Sequence, residues 1–172
     1  IAVKAAGDVV ILIGDTKGHL GSSLYLRDIL DRTDGAPPAV DLEVERKNGD
    51  FVRAQITSGM VTACHDVSDG GVAVALAEMC MAGKTGMDIK VPNIEIPLHG
   101  WLFGEDQARY IATVKPENAA DILEKAKEAG VSAVKIGMTG GKQLKLDQID
   151  PILISELSDN HEGWFPDYMG NA

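Results

Sequence analysis

A chain of 172 residues with 45% hydrophobic side chains and 19 glycines suits one globular domain that buries roughly 70% of its unfolded surface, without a disulfide or metal staple. Acidic residues outnumber basic ones, 26 to 16, for a formal charge of -10, which weighs against a nucleic-acid partner or an anionic membrane because it repels phosphate. A small phosphorylated ligand stays open, since backbone N–H groups and a few cations can hold one inside an acidic domain. Cys64 and Cys80 have neither metal nor redox spacing and are expected to be reduced thiols in a cytoplasmic protein. The start Ile1-Ala2-Val3-Lys4 has no Met, signal-peptide or transit-peptide character, so the chain reads as a piece of a longer intracellular polypeptide or a processed one. No run reaches the ~18 apolar residues of a membrane span.

In chain order, Val9-Val10-Ile11-Leu12-Ile13 is a β-branched run expected to be a strand buried on both faces. After a loop, Tyr25, Leu26, Ile29 and Leu30 make two i,i+4 pairs and predict a helix, with Ser22 or Ser23 as its cap. Gly35-Ala36-Pro37-Pro38 is a turn with a stiff exit. Asp41 is the cap of a second helix, with Leu42, Val44, Phe51, Val52 and Ile56 as candidate core residues. Asn48-Gly49 interrupts that pattern, so the helix either tolerates the glycine or divides there.

Val61 to Cys64 predicts a short strand, and Val72 to Met81 an Ala-rich helix ended by Gly83 and Gly86. Met87 to Val91 alternates as a half-buried strand. Residues 93–107 are expected to be mostly loop. Arg109 to Val114 is the next strand; Pro116 then starts a helix at N1, with Ile122, Leu123 and Ala126 inward and Gly130 at C′. Val134 to Ile136 and Lys142 to Leu146 predict strands joined through Thr139-Gly140-Gly141. A body of residues 1–158 is followed by a tail, 159–172, carrying Trp164, Phe165 and Tyr168. Interspersed helices and strands predict one layered α/β domain.

Three segments carry candidate chemistry. His65 precedes Asp66-Val67-Ser68-Asp69-Gly70-Gly71, where paired glycines permit a sharp turn or close ligand approach and the next helix offers unpaired N–H groups to an anion. Histidine is a natural proton-transfer partner near neutral pH; equally, Asp69 or Ser68 can simply cap the helix. The loop at residues 15–23 has the same format: Gly18 and Gly21 allow close approach, Lys17 brings charge, and Ser22 and Ser23 bring hydroxyls. It is neither a P-loop nor a dinucleotide fingerprint. In Phe103-Gly104-Glu105-Asp106-Gln107-Ala108-Arg109, Glu105 and Arg109 either order a ligand edge or pair with each other. Asp147, Asp150, Glu156, Asp159 and Glu162 read as solvated surface, and His19, His99 and His161 lack zinc spacing.

Taken together and in this order, Gly14 to Leu26, His65 to Gly71, Leu102 to Arg109 and the Thr139-Gly140-Gly141 turn resemble the large subunit of the phosphoribosylformylglycinamidine synthase family, over nearly the whole chain. More narrowly, the chain resembles a carboxy-terminal domain of the aminoimidazole ribonucleotide synthase-like superfamily, and His161 to Pro166 resembles the end of the short bacterial form. The resemblance implies a three-layer α/β/α fold with a mixed sheet and partly ferredoxin-like topology. It further implies ATP-dependent conversion of formylglycinamide ribonucleotide and glutamine-derived ammonia to the amidine in purine synthesis, with ATP and Mg2+ used by the intact enzyme. A glutaminase subunit, a small accessory subunit and the remaining domains of the same subunit are the implied partners. On this resemblance His65 is a ligand-side histidine and candidate catalytic group. Gly18, Gly21, Ser22, Ser23, Asp69, Gly70 and Gly71 are phosphate-side residues, and Glu105 and Arg109 belong to a supporting loop. No metal ligand is assigned within the chain. The alternative is a structural or auxiliary nucleotide-binding module, and the isolated domain is expected to be inactive.

Overall fold

The structure, a computed structural model, describes residues 1–92, 95–147 and 149–170. Strand β1 (Val9–Ile13) is followed by a five-residue π-helical turn (Tyr25–Ile29), helix α1 (Leu42–Thr57), β2 (Val61–Asp66), α2 (Gly71–Gly83) and β3 (Met87–Ile89). Then come α3 (Leu98–Phe103), β4 (Tyr110–Val114), α4 (Pro116–Glu128), β5 (Ala133–Thr139), β6 (Gln143–Leu146), β7 (Ile149–Leu153) and α5 (Ile154–Gly170).

The seven strands form one mixed sheet in the order β2-β4-β1-β5-β3-β6-β7. Units β1-α1-β2 and β4-α4-β5 interleave as β2-β4-β1-β5 with antiparallel neighbours, the ferredoxin-like pattern. The α2-β3-α3 segment is inserted between these units. β3 pairs antiparallel with β5, β6 runs parallel to β3, and β7 closes the edge antiparallel to β6. Thr139-Gly140-Gly141 therefore links strands that flank β3 instead of pairing with each other.

Alternation along β1 builds both cores, as strand geometry requires. Val9, Ile11 and Ile13 face Phe51 and Val52 of α1 and Ile122 and Ala126 of α4. Val10 and Leu12 face Val72, Ala75, Leu76 and Met79 of α2, with Trp101 and Leu102 of α3 and Ile154 of α5. Three layers result. Leu76 and Met79 are fully buried, and truncating either to Ala would cost about 2–5 kcal/mol.

Several local expectations hold. Asp41 Oδ1 accepts from the N–H groups of Glu43 and Val44, Pro116 starts α4, and Gly130 follows its C-cap with φ +63°. Helix α1 runs unbroken through Asn48-Gly49: a Cβ at Gly49 would lie 3.3 Å from the Tyr110 hydroxyl, and buried Asn48 donates to the Ala108 carbonyl at 2.9 Å.

Others need correction. The helix expected after Ser23 is only the π-helical turn; Ser23 Oγ does accept from Leu26 N at 3.3 Å, but Ile29 and Leu30 are exposed, so no packing extends it. Leu42 and Ile56 are also exposed, on the outer face of α1. The segment expected to be loop contains α3, whose Trp101 and Leu102 are anchored in the core; Asn93 and Ile94 of that segment lie outside the described residues. Strand β2 continues to Asp66, β3 stops at Ile89, and β4 starts at Tyr110. Helix α2 ends at Gly83 with Lys84 in the left-handed region, φ +49°, leaving Gly86 beyond it. Strand β7 and helix α5 were not expected. Pro151 is compatible with β7 because an edge strand leaves one side of its backbone unpaired. Helix α5 crosses residues 158/159 without a break, with Trp164, Phe165 and Tyr168 exposed; Asn171 and Ala172 lie outside the described residues.

Candidate functional site

Sheet register gathers the three motif segments at one end of the fold. Tyr110 at the start of β4 pairs with Ile13 at the end of β1 on one side and with Asp66 at the end of β2 on the other. Residues 14–41, 67–70 and 104–109 must therefore leave the sheet side by side.

Two adjacent carboxylates tie these loops together. Asp106 Oδ2 accepts from the N–H groups of Lys17 at 2.9 Å and Gly18 at 2.8 Å, and Oδ1 from His19 at 3.3 Å. Three convergent N–H groups form an anion-binding concavity, and the protein's own carboxylate fills this one. Glu105 Oε1 accepts from Leu24 N at 2.9 Å and from Gly70 N at 2.8 Å, bridging the first loop to the second. Glu105 N also donates to His19 O.

Arg109 is 1% exposed and works inside this frame. Its guanidinium donates to the carbonyls of Asp106 and Gly104 and to Thr16 Oγ1, with Asp106 Oδ2 at 3.9 Å. Burial lowers its pKa from the ordinary arginine value, while the charges of Asp106 and Glu105 oppose that shift. Such a group is a clamp on the 104–109 loop rather than a ligand-facing cation.

The glycines permit close packing. Gly18 has φ +74°, and a Cβ there would lie 2.6 Å from Ile96 Cγ2. Gly71 has φ +71°, and its Cβ would lie 2.7 Å from the carbonyl oxygens of both Leu102 and Gly104, so this glycine lets α2 start against the end of α3. At Gly21 a Cβ would overlap the Ala36 carbonyl. Ser22 is exposed and donates to Gly35 O at 2.8 Å, whereas Ser23 is buried. Asp69 is exposed. Gly70, at the N-cap of α2, leaves that helix without a side-chain cap. Exposed Arg27 pairs with Asp28, and that hydrogen bond raises its pKa first, with Asp69 and Glu105 adding smaller contributions.

His65 is held apart from these carboxylates. It lies on edge strand β2, with Nε2 2.8 Å from Glu78 Oε2 of α2 and Nδ1 3.2 Å from Asp66 Oδ1. Glu78 carried no signal in the sequence, because only the β2-turn-α2 geometry brings residues 13 apart into contact.

A cleft of about 650 Å3 opens between the Gly18 loop, residues 37–41 and residues 106–108, lined by Asp15, Lys17, His19, Pro38, Asp41 and Gln107 among others. A neighbouring hollow of about 210 Å3 is lined by Glu45, Asp66, Ser68, Arg109 and Tyr110. Of the expected site residues, Gly18 lines the first and Arg109 the second. His65, Gly21, Ser22, Ser23, Asp69, Gly70, Gly71 and Glu105 line neither. Among the described residues no three His, Cys, Asp or Glu side chains gather to hold a metal ion, and no helix is long and apolar enough to cross a membrane.

A family model for the C-terminal domain of AIR synthase related proteins matches residues 5–147. Phosphoribosylformylglycinamidine synthase subunit PurL of Parvibaculum lavamentivorans is 54% identical over 171 residues, 98% of this chain and 23% of that protein. The subunit of the same name from Methylocella silvestris is 54% identical over 172 residues, 100% of this chain and 23% of that protein. The chain thus spans less than a quarter of the length of these curated relatives. Among solved structures, Thermotoga maritima PurL complexed with FGAR superposes with a TM-score of 0.76 at 18% identity, over 91% of this chain and 29% of that one. Thermotoga maritima PurL complexed with ATP gives 0.73 at 17% identity, over 91% and 26%. At such identities the likeness is one of fold.

Proposed function

This chain belongs to the family of AIR synthase related protein C-terminal domains, and from that premise we propose that it is the carboxy-terminal portion of a phosphoribosylformylglycinamidine synthase large subunit. There it would form one wall of a ligand site, the remaining walls coming from the rest of the subunit. The observation that carries this reading is the convergence of residues 14–41, 67–70 and 104–109 at one end of the sheet, in a chain 54% identical to such a subunit.

The proposed reaction joins ammonia, derived from glutamine, to formylglycinamide ribonucleotide. ATP supplies the phosphoryl group that turns the amide oxygen into a leaving group. Within this chain, the proposed phosphate-side contacts are Ser22, an exposed residue whose hydroxyl donates to Gly35 O, and the start of α2 at Asp69, Gly70 and Gly71, where the helix dipole favours an anion and the N–H groups of Gly70 and Gly71 donate to Glu105 Oε1 and Ser68 O. Gly18, Gly21 and buried Ser23 shape the loop. Glu105 and Arg109 hold it, because their polar groups are spent on the protein's own backbone. His65 is proposed as the hydrogen-bonding or proton-transfer group. Magnesium is assigned to the remaining domains of the subunit, as the family resemblance implies.

The proposal extends to a cytoplasmic assembly with a glutaminase subunit and a small accessory subunit. It also treats residues 1–158 as the body and 159–172 as a tail that docks on neighbouring domains. Replacing His65 with Ala in the full subunit should lower ammonia-dependent turnover; unchanged turnover and nucleotide occupancy would remove any direct role. The isolated chain should form no amidine, and detectable amidine formation by it would overturn the wall reading.

A second reading, a structural or auxiliary nucleotide-binding module of the same subunit, is favoured by one observation: Asp106 and Glu105 already occupy the N–H groups of Lys17, Gly18, His19 and Gly70. Under that reading, disrupting Gly70 or Ser22 should reduce assembly or stability more than chemistry.

A further inference from the structure

The imidazole of His65 sits between two carboxylates that differ in kind. Glu78 Oε2 lies 2.8 Å from Nε2 and is carried by α2, a helix fixed in the core through Ala75, Leu76 and Met79. Asp66 Oδ1 lies 3.2 Å from Nδ1, on a side chain 65% exposed at the end of β2. The His65 side chain itself is 15% exposed, so its ring cannot swing freely. An ionised carboxylate only accepts hydrogen bonds, and a neutral imidazole has one N–H to give.

We propose that Glu78 is the positioning residue of this site: it holds the Nε2–H of His65 and so makes Nδ1 the nitrogen presented to a ligand. The shorter contact, to the less exposed carboxylate, takes the proton. Nδ1 is left beside Asp66, and it is Asp66, not His65 itself, that lines the hollow of about 210 Å3 with Ser68 and Tyr110. Asp66, with its side chain 65% exposed against 40% for Glu78, is the partner that moves aside for a ligand. The same logic places a carboxylate behind other working histidines, where it selects the tautomer and the ring orientation without touching the reacting atoms. The inference rests on the reading of His65 as a ligand-side residue, and it assigns which ring nitrogen works and what holds it.

The test uses the full subunit labelled with 15N-histidine, at a pH high enough for neutral imidazole, with His65 identified by loss of its signals in His65→Gln. Wild type should show a single Nε2–H tautomer. Glu78→Ala should give a mixture of tautomers with the backbone spectrum otherwise preserved, and in Glu78→Gln, whose amide can accept from Nε2–H or donate to bare Nε2, the Nε2–H form should no longer be the single one. An Nδ1–H tautomer in wild type, or an unchanged tautomer in Glu78→Ala, would overturn the positioning claim. In the full subunit, Glu78→Ala should lower kcat by about tenfold, less than the roughly 10²–10⁴-fold that a positioned proton-transfer group supplies, with KM nearly unchanged and the double variant no worse than His65→Ala alone. Unchanged kcat in Glu78→Ala while His65→Ala is impaired would overturn the inference alone. Unchanged turnover in His65→Ala would remove the ligand-side reading beneath it, whatever the tautomer.

Discussion

Asp106 and Gly18 meet through a hydrogen bond of 2.8 Å from the glycine N–H to the carboxylate Oδ2. A loop whose glycines suggest a cradle for a ligand anion is thereby closed on an anion of the protein itself, carried on the segment that precedes β4. Asp106 is 5% exposed, with the Arg109 guanidinium 3.9 Å away. Loop shape at the candidate site is thus coupled to a buried charge pair.

Replacing Asp106 with Asn keeps the volume but removes the charge and puts an NH2 group where one acceptor stood. Three N–H groups then compete for one oxygen, and Arg109 loses its counter-charge. The expected loss is about 2–4 kcal/mol, measured as a lower urea midpoint, with faster amide exchange at Lys17, Gly18 and His19. A midpoint equal to that of wild type would show that the carboxylate does not organise the loop.

Gly71→Ala and Gly59→Ala form a matched pair. Both glycines have positive φ, +71° and +75°, yet a Cβ at Gly59 meets nothing within 4 Å, whereas one at Gly71 runs into the backbone of residues 102–104. The left-handed backbone alone costs about 1–2 kcal/mol, so Gly59→Ala should lose about that much. Gly71→Ala should lose about 3 kcal/mol or more, because backbone cannot yield as a flexible side chain does. Thermal unfolding of the two variants checks the difference; equal losses would mean that α2 and α3 can separate without cost.

Both cysteines should resist alkylation in the folded chain. Burial pushes the Cys80 thiol up to about 12, and burial followed by the Asp66 charge pushes Cys64 up to about 11, so little thiolate exists at pH 8. Iodoacetamide should react slowly at pH 8 and completely in denaturant. Because the folded values lie above the unfolded value of 9.0, the contribution to stability is full below about pH 9. It declines as pH rises through that value toward 11 and 12. Rapid native labelling of both residues would contradict this.

Much of the frame was legible locally. Five apolar β-branched or leucine residues at Val9–Ile13, an aspartate before α1 and a proline at the start of α4 each act through their own backbone and nearest neighbours. Helix α3 was not legible, because six residues between Pro97 and Gly104 are too few for a periodic signal, and Trp101 and Leu102 hold it only once the core exists. The opposite error came at Ile29 and Leu30, whose spacing suggests a helix but whose side chains find nothing to pack against.

The same division governs the site. Sequence by itself determined which segments can turn tightly and offer N–H groups, since a glycine's freedom and a serine's hydroxyl belong to the residue wherever it lies. Only the tertiary structure decided what those N–H groups bind, because Asp106 is 89 residues from Lys17 and Glu105 is 81 residues from Leu24. It likewise set Glu78 behind His65. Hydrogen bonds act over about 3 Å, and the sheet register at Tyr110 is what brings distant parts of the chain within that reach.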